Sequence, residues 1–407
     1  MVGPPKQGVE SMKKVLLASS ILALSAGLSG AAQAEVKLGV ILGFTGPIES
    51  VTPGMADAAE LAMKEVSDSG KLLGGETVVS VRGDSTCVDS AAAQAAAERL
   101  ITSEGIAAIM GADCSGVTGA IANNVAVPKG IVMVSPSATS PALSTIEDNG
   151  YFFRTAPSDA RQGQVLSDIA MDRGIKEIAV TYTNNDYGKG LADSFQAAYE
   201  AAGGKVSIVV PHEDGKADYS AEVGALAASG SEVLAVFGYV DQGGRGIIQS
   251  SLDTGAFGFF LIADGMTAES LLENFGDSID GTVGTLPGTD SPGAAKFLEV
   301  AKSMGVDGDG PFRAESYDAA ALILLAMQAA GSTDSAALKD KMLDVANAPG
   351  EPIYPGELAK ALEILAGGGD IDYVGATAVE LIGPGEAAGS YKELLVEGGK
   401  YTTVQIR

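Results

Sequence analysis

Tryptophan is absent from this sequence, histidine occurs once and cysteine twice. One imidazole cannot build a multi-histidine metal centre, and no H-E-x-x-H, G-x-S-x-G, P-loop or G-x-G-x-x-G pattern occurs. The residues offer no nucleophile–base set, so no catalytic residue, metal or cofactor is expected. Lack of a C-x-x-C pair argues against dithiol redox chemistry. Basic residues are scarce: 26 Lys and Arg stand against 52 Asp and Glu, a formal charge of −26. Nucleic acid and anionic membrane are therefore poor partners. The lone His212 follows Pro211 and precedes Glu213-Asp214-Gly215, a turn pattern that predicts an exposed side chain.

What is present starts with a leader. Lys13-Lys14, the uncharged apolar run Val15–Leu28 and the A-x-A pattern Ala32-Gln33-Ala34 read as a cleavable export signal ending before Glu35. The run is short for a bilayer span, and no other is long and unbroken enough. Residues 1–34 are set apart as extension and signal peptide, and the mature chain is expected to be soluble and periplasmic. Their loss removes Lys6, Lys13, Lys14 and Glu10 and takes the charge from −26 to −28. In an exported chain Cys87 and Cys114, each following a predicted strand, are expected to pair. The bridge closes a loop of about 28 residues, worth roughly 3–4 kcal/mol in the chain-entropy model.

About 370 residues remain, too many for one core and enough for two lobes. Strand and helix patterns alternate at short spacing. Strands are predicted at Val36–Leu42, Glu76–Val81, Ile106–Met110, Ile131–Val134 and 151–155, with helices between them. After Ala156-Pro157-Ser158-Asp159 the rhythm restarts and runs to a strand at Gly281–Pro287. Helices at 292–304, Phe312–Ala330, 334–347 and 355–366 cluster after that strand and suggest a return to the first lobe. The pattern predicts an α/β fold with parallel, doubly wound sheets. Lobes joined by three chain passages can close by hinge bending.

The stretch Gly111–Ser144 carries two consecutive strand-to-helix turns, Gly-Ala-Asp-Cys-Ser-Gly and Ser-Pro-Ser-Ala-Thr. Hydroxyl residues and free amides at helix starts on one sheet edge suit a small anion, above all a carboxylate. In open α/β sheets ligands sit beyond the carboxyl ends of strands. The loops there hold Phe44-Thr45-Gly46, Cys114-Ser115, Ser135–Thr139, Asn185-Asp186-Tyr187, Tyr239-Val240-Asp241 and Asp264-Gly265. Donors, an acid and aromatic walls together match a zwitterion.

The motifs GVILGFTGPIES, GADCSGVTGAIA, VSPSATSPALS, YFFRTAPSDARQG, NNDYGKGLADSF, IADGMTAES and PFRAESYDAAALI resemble, in order and spacing, the leucine/isoleucine/valine-binding protein family of ABC transporters. The resemblance implies the type I periplasmic-binding fold, two Rossmann-like lobes joined by three hinge crossings. Lobe 1 would combine 36–155 and 286–383, and lobe 2 would take 156–285 and 384–407. It implies a monomer that holds an amino acid and delivers it to an inner-membrane ABC permease. By matching positions, Ser115 and Thr139 would bind the α-carboxylate. The Ser137 carbonyl, the Thr139 hydroxyl and Asp264 would meet the ammonium. Tyr187 and Tyr239 would form the second-lobe wall, Phe312 a pocket wall, and Cys87–Cys114 the family disulfide. Where the family commonly has an aromatic, this chain has Ile48-Glu49-Ser50-Val51, so Glu49 and Ser50 are candidates to meet a polar ligand group. Two other outputs remain open: a sensor of the same fold for an amide, urea-type or carboxylate ligand, and a secreted hydrolase.

Overall fold

The computed structural model describes residues 1–4 and 35–407, so most of the expected leader lies outside the described residues. In chain order the strands are β1 (Glu35–Leu42), β2 (Thr77–Asp84), β3 (Ala108–Gly111), β4 (Met133–Ser135) and β5 (Phe152–Arg154). They are followed by β6 (Glu177–Thr183), β7 (Lys205–His212), β8 (Val233–Phe237), β9 (Phe259–Ile262) and β10 (Val283–Pro287). The remainder are β11 (Glu351–Ile353), β12 (Ile371–Tyr373), β13 (Leu381–Ile382), β14 (Glu386–Ala387), β15 (Tyr391–Glu397) and β16 (Lys400–Ile406).

They form two seven-stranded sheets and one small pair. The first sheet runs β13-β14-β5-β4-β3-β1-β2 and the second β16-β15-β10-β9-β8-β6-β7. In each sheet five successive strands, β1–β5 and β6–β10, are parallel and follow one doubly wound order, with the first strand between the second and third. The order reverses between β1 and β3, and again between β6 and β8, which opens a crevice at the carboxyl end of each sheet. Central strands read as apolar runs because helices cover both faces: in β1 every residue from Leu38 to Leu42 except Gly39 is fully buried and apolar.

Local chemistry sets the helix starts. Asp89 accepts from the amides of Ala91 and Ala92, Ser158 from Ala160, and Asn185 from Gly188. At the β1/β3 reversal Gly111 has φ +133°, and a Cβ there would lie 2.1 Å from the Ile41 carbonyl oxygen. Only glycine permits that approach.

The helix Arg313–Ala330 is buried on nearly every face and packs against Thr52–Ser69, Leu358–Ala366, β3 and β4. It therefore belongs with the first sheet although it follows β10. Asp318 on this helix accepts from the Tyr373 hydroxyl (2.8 Å), the amides of Ala376 and Thr377, and the Thr377 hydroxyl (2.7 Å). The chain passes between sheets after Arg154, after Pro287 and after Ala387, since β14 pairs with β5 and β15 with β10.

Some elements differ from expectation. The helix expected over 334–347 is two short ones, Ser335–Lys339 and Met342–Ala346. His212 is not exposed: β7 extends past Val210 and carries it inside, 1% accessible. There Nδ1 meets the Thr181 hydroxyl at 2.8 Å, and Nε2 has no hydrogen-bond partner among the described residues.

Candidate functional site

The two carboxyl ends face one another around a cleft whose empty space, counted out through its open mouth, is about 410 Å³. Its walls include Ile48, Val51, Asp113, Ser115, Ser137 and Phe312 from the first half, and Tyr187, Tyr239, Asp264 and Gly265 from the second. Six of the expected site residues are thus brought together. No Lys, Arg or His is among the lining residues.

Ser115 is the first residue of the helix Ser115–Ile121, and Cys114, in extended conformation, precedes it. The Ser115 hydroxyl accepts from the Ser140 amide at 3.1 Å, which joins the two expected turns directly. Cys114 is bonded to Cys87, with Cα atoms 5.1 Å apart, so the end of the β2 loop is tied to this helix start. Asp113 accepts from the Gly43 amide and the Ser85 hydroxyl, both at 2.8 Å. Burial raises its pKa against those bonds. Ser137 donates to the Asp113 carbonyl at 3.1 Å.

Thr139 lies deeper, fully buried, and is not part of the lining. Its hydroxyl sits beside the Asp159 carboxylate, whose proton affinity it lowers, yet completes no hydrogen bond of ordinary geometry. The loop carrying it is held by the buried Arg154, which donates to the carbonyls of Ala138 (3.1 Å) and Ser140 (2.9 Å) and pairs with Glu386. Ser140, not Thr139, caps the following 3₁₀ turn.

On the opposite wall the rings of Tyr187 and Tyr239 stack with centroids 5.2 Å apart. Tyr187 donates to Asp264 Oδ1 at 2.7 Å, and the Gly265 amide reaches the same oxygen. Burial pushes the Asp264 carboxyl up to about 6 against these bonds. It also raises both phenols, which stay protonated. A Cβ on Gly265 would fall 2.6 Å from the Gly238 carbonyl, so the strand end closes only with glycine.

Phe312 lines the cleft from a left-handed backbone conformation, φ +57°. A non-glycine residue in that region is held by its surroundings at some energetic cost. Glu49 is exposed and outside the lining; its carboxylate turns back to the Gly46 amide at 3.3 Å. That turn aims Ile48 and Val51 inward instead. The same loop spans the cleft mouth. Asp241 accepts from the Ser50 amide (2.8 Å) and donates its own amide to the Pro47 carbonyl (3.0 Å), and Ser50 meets Ser270 at 3.1 Å.

Sequence reasoning missed Ile48, Val51, Pro311 and Asp113 as walls, and Asp159 and Gln162 as buried polar groups beneath them. Asp159 had a visible signal, an acid at a helix start inside PSDARQG, but that reads equally as a cap.

Two sheets of one topology, meeting at their order reversals around a cleft lined by both polar and apolar side chains, define a bilobal solute-binding protein. The model of the family described as periplasmic binding protein matches residues 35–355, and this chain belongs to that family. It is 30% identical over 339 residues to Leu/Ile/Val-binding protein homolog 3 of Brucella melitensis, covering 82% of this chain and 89% of that one. It is 26% identical to a leucine-, isoleucine-, valine-, threonine- and alanine-binding protein of Pseudomonas aeruginosa, covering 81% and 87%. Among solved structures, a leucine-binding protein of Thermotoga maritima superposes with TM-score 0.77 at 26% identity, covering 91% of this chain and 98% of that one. A Rhodopseudomonas palustris solute-binding protein in complex with p-hydroxybenzoic acid reaches 0.73 at 20% identity, covering 92% and 97%, and shares the fold.

Proposed function

We propose that this chain captures an amino acid with a compact apolar side chain between its lobes and delivers it to an inner-membrane ABC permease. It acts as a periplasmic monomer released from its leader, and carries out no chemical step. The observation that carries the reading is the polarity of the cleft. A helix start with the Ser115 hydroxyl stands on one wall, the Asp264 carboxylate on the other, and Ile48, Val51, Pro311 and Phe312 line the remainder.

Ser115 and Thr139 bind the α-carboxylate, replacing water with donors whose loss is costly. Asp264, the Ser137 carbonyl and the Thr139 hydroxyl take the ammonium, and the stacked tyrosines cover the ligand. The lobes follow the sheets, so closure is rotation about the three crossings. Relatives named for leucine, isoleucine and valine support the ligand class.

The test is a thermal-shift and calorimetric panel of leucine, isoleucine, valine, threonine, alanine and 4-hydroxybenzoate. Ligand that binds only the native form raises the melting temperature. Stabilisation by the aliphatic amino acids and not by the benzoate is expected. A preference for the benzoate would overturn the reading, because two cleft carboxylates then face an anion with no cation between them.

A further inference from the structure

Beneath the cleft floor lies a polar group with no part in the reading above. Asp159, the first residue of the helix Asp159–Asp172, is fully buried, and its Oδ2 has no hydrogen-bond partner among the described residues. In the orientation that satisfies its neighbours, the Gln162 amide nitrogen donates to Asp159 Oδ1 at 2.8 Å and to Asp264 Oδ2 at 3.3 Å. Its oxygen accepts from the Asp264 amide (3.2 Å) and the Thr285 hydroxyl (3.0 Å). Two oxygens held by one nitrogen at those distances are at most about 6 Å apart. One of these acids lines the cleft and the other does not.

We propose that Asp159 and Asp264, bridged by Gln162, form one acid pair that gives up its shared proton when an ammonium-bearing ligand binds, with Asp159 as the positioning residue that keeps that proton in the empty cleft. The proposal rests on the ligand class argued above. Two buried carboxylates this close do not both ionise readily, because neither has water to screen it. The ligand's ammonium supplies a positive charge beside Asp264, so both acids can then be ionised. One proton leaves to solvent; the zwitterionic ligand is neutral overall, so the cleft's net charge falls by one.

The surroundings favour this exchange. Burial raises Asp159 and Asp264, and the Asp264 charge raises Asp159 further. The charged and titratable groups facing the pair are few. Arg154 from β5 eases Asp159 but is already engaged by two carbonyls and Glu386. Tyr187, Tyr239 and Tyr391 are protonated phenols, all raised by burial. Glu315, on the helix Arg313–Ala330, is pushed up to about 8 by burial and is neutral at neutral pH.

The experiment is titration calorimetry of the full mature chain with leucine at a pH near 6, in phosphate and in Bis-Tris, whose ionisation enthalpies differ. Wild-type protein is expected to release up to about one proton per leucine, with affinity rising by up to about tenfold per pH unit below the pair's titration range. Asp159→Asn is expected to lose most of that release and flatten the pH profile while still binding at pH 8. A companion measurement needs no variant: 4-methylpentanoate, leucine's skeleton without the ammonium, is expected to release none. Leucine binding with no proton exchange overturns the acid pair and leaves the ligand reading intact. Full release from Asp159→Asn, or equal release by 4-methylpentanoate, overturns it too. Failure of every amino acid in the panel to bind overturns the ligand reading and this inference with it.

Discussion

Single side chains decide affinity here. Thr139 lies buried beneath the cleft with its hydroxyl beside Asp159, and in the proposed function that hydroxyl also meets the ligand's charged end. Thr139→Ala is expected to weaken leucine binding by roughly 1.5–3 kcal/mol, the range for a hydrogen bond to a charged group. Calorimetry at pH 8 checks this, and unchanged affinity would remove Thr139 from the site. His212 governs stability instead. Burial lowers its pKa from 6.5 to about 4, so the folded state favours the neutral ring. Its contribution is fully present above about pH 6.5 and is lost as pH falls through 4, about 3 kcal/mol in all. Denaturant midpoints of His212→Asn should therefore lose part of the wild-type decline between pH 6.5 and 4. At this scale the sequence made hydroxyls and aromatics at strand ends legible, because their types fit a zwitterion. It misjudged His212 and Glu49, because a strand's last two residues and a turn's hydrogen bond decide which way a side chain points.

At the scale of elements, the loop 138–140 is positioned less by its own turn chemistry than by Arg154. A buried guanidinium whose bonds go to two carbonyls and a carboxylate cannot be removed without leaving those groups unpaired. Arg154→Leu is expected to cost about 3–5 kcal/mol, read by denaturant titration, and to weaken leucine binding beyond what Thr139→Ala does. The alternation of strands and helices was legible, since parallel strands buried on both faces read as apolar runs. The strands β11 and β12 were not, because EPI and IDY each carry an acid and lie in no apolar run of the kind that marks β4 and β5. The joining of Arg313–Ala330 to the first sheet was inferred from order alone; its buried circumference gives the physical reason.

For the whole molecule the question is where the hinge rests. The Pro47–Ser50 loop and Asp241 are joined by backbone and carboxylate hydrogen bonds across the cleft mouth. Asp241→Ala removes the Ser50 amide's acceptor and should open the unliganded molecule. An increased radius of gyration in solution scattering is the expected readout, with leucine restoring the compact value. A compact unliganded variant would show that the crossings alone set the angle. That the chain forms two lobes was legible from length and rhythm; the latch was not, because it depends on two loops about 190 positions apart meeting in space.

One four-residue bend thus serves two masters. Ile48 shapes what fits inside while its neighbours Pro47 and Ser50 grip the far half, so selection acting on taste also acts on grip. A descendant that swaps the bend for a bulkier one to welcome a different guest would inherit a new resting posture in the same step, and the importer it serves would meet both changes at once.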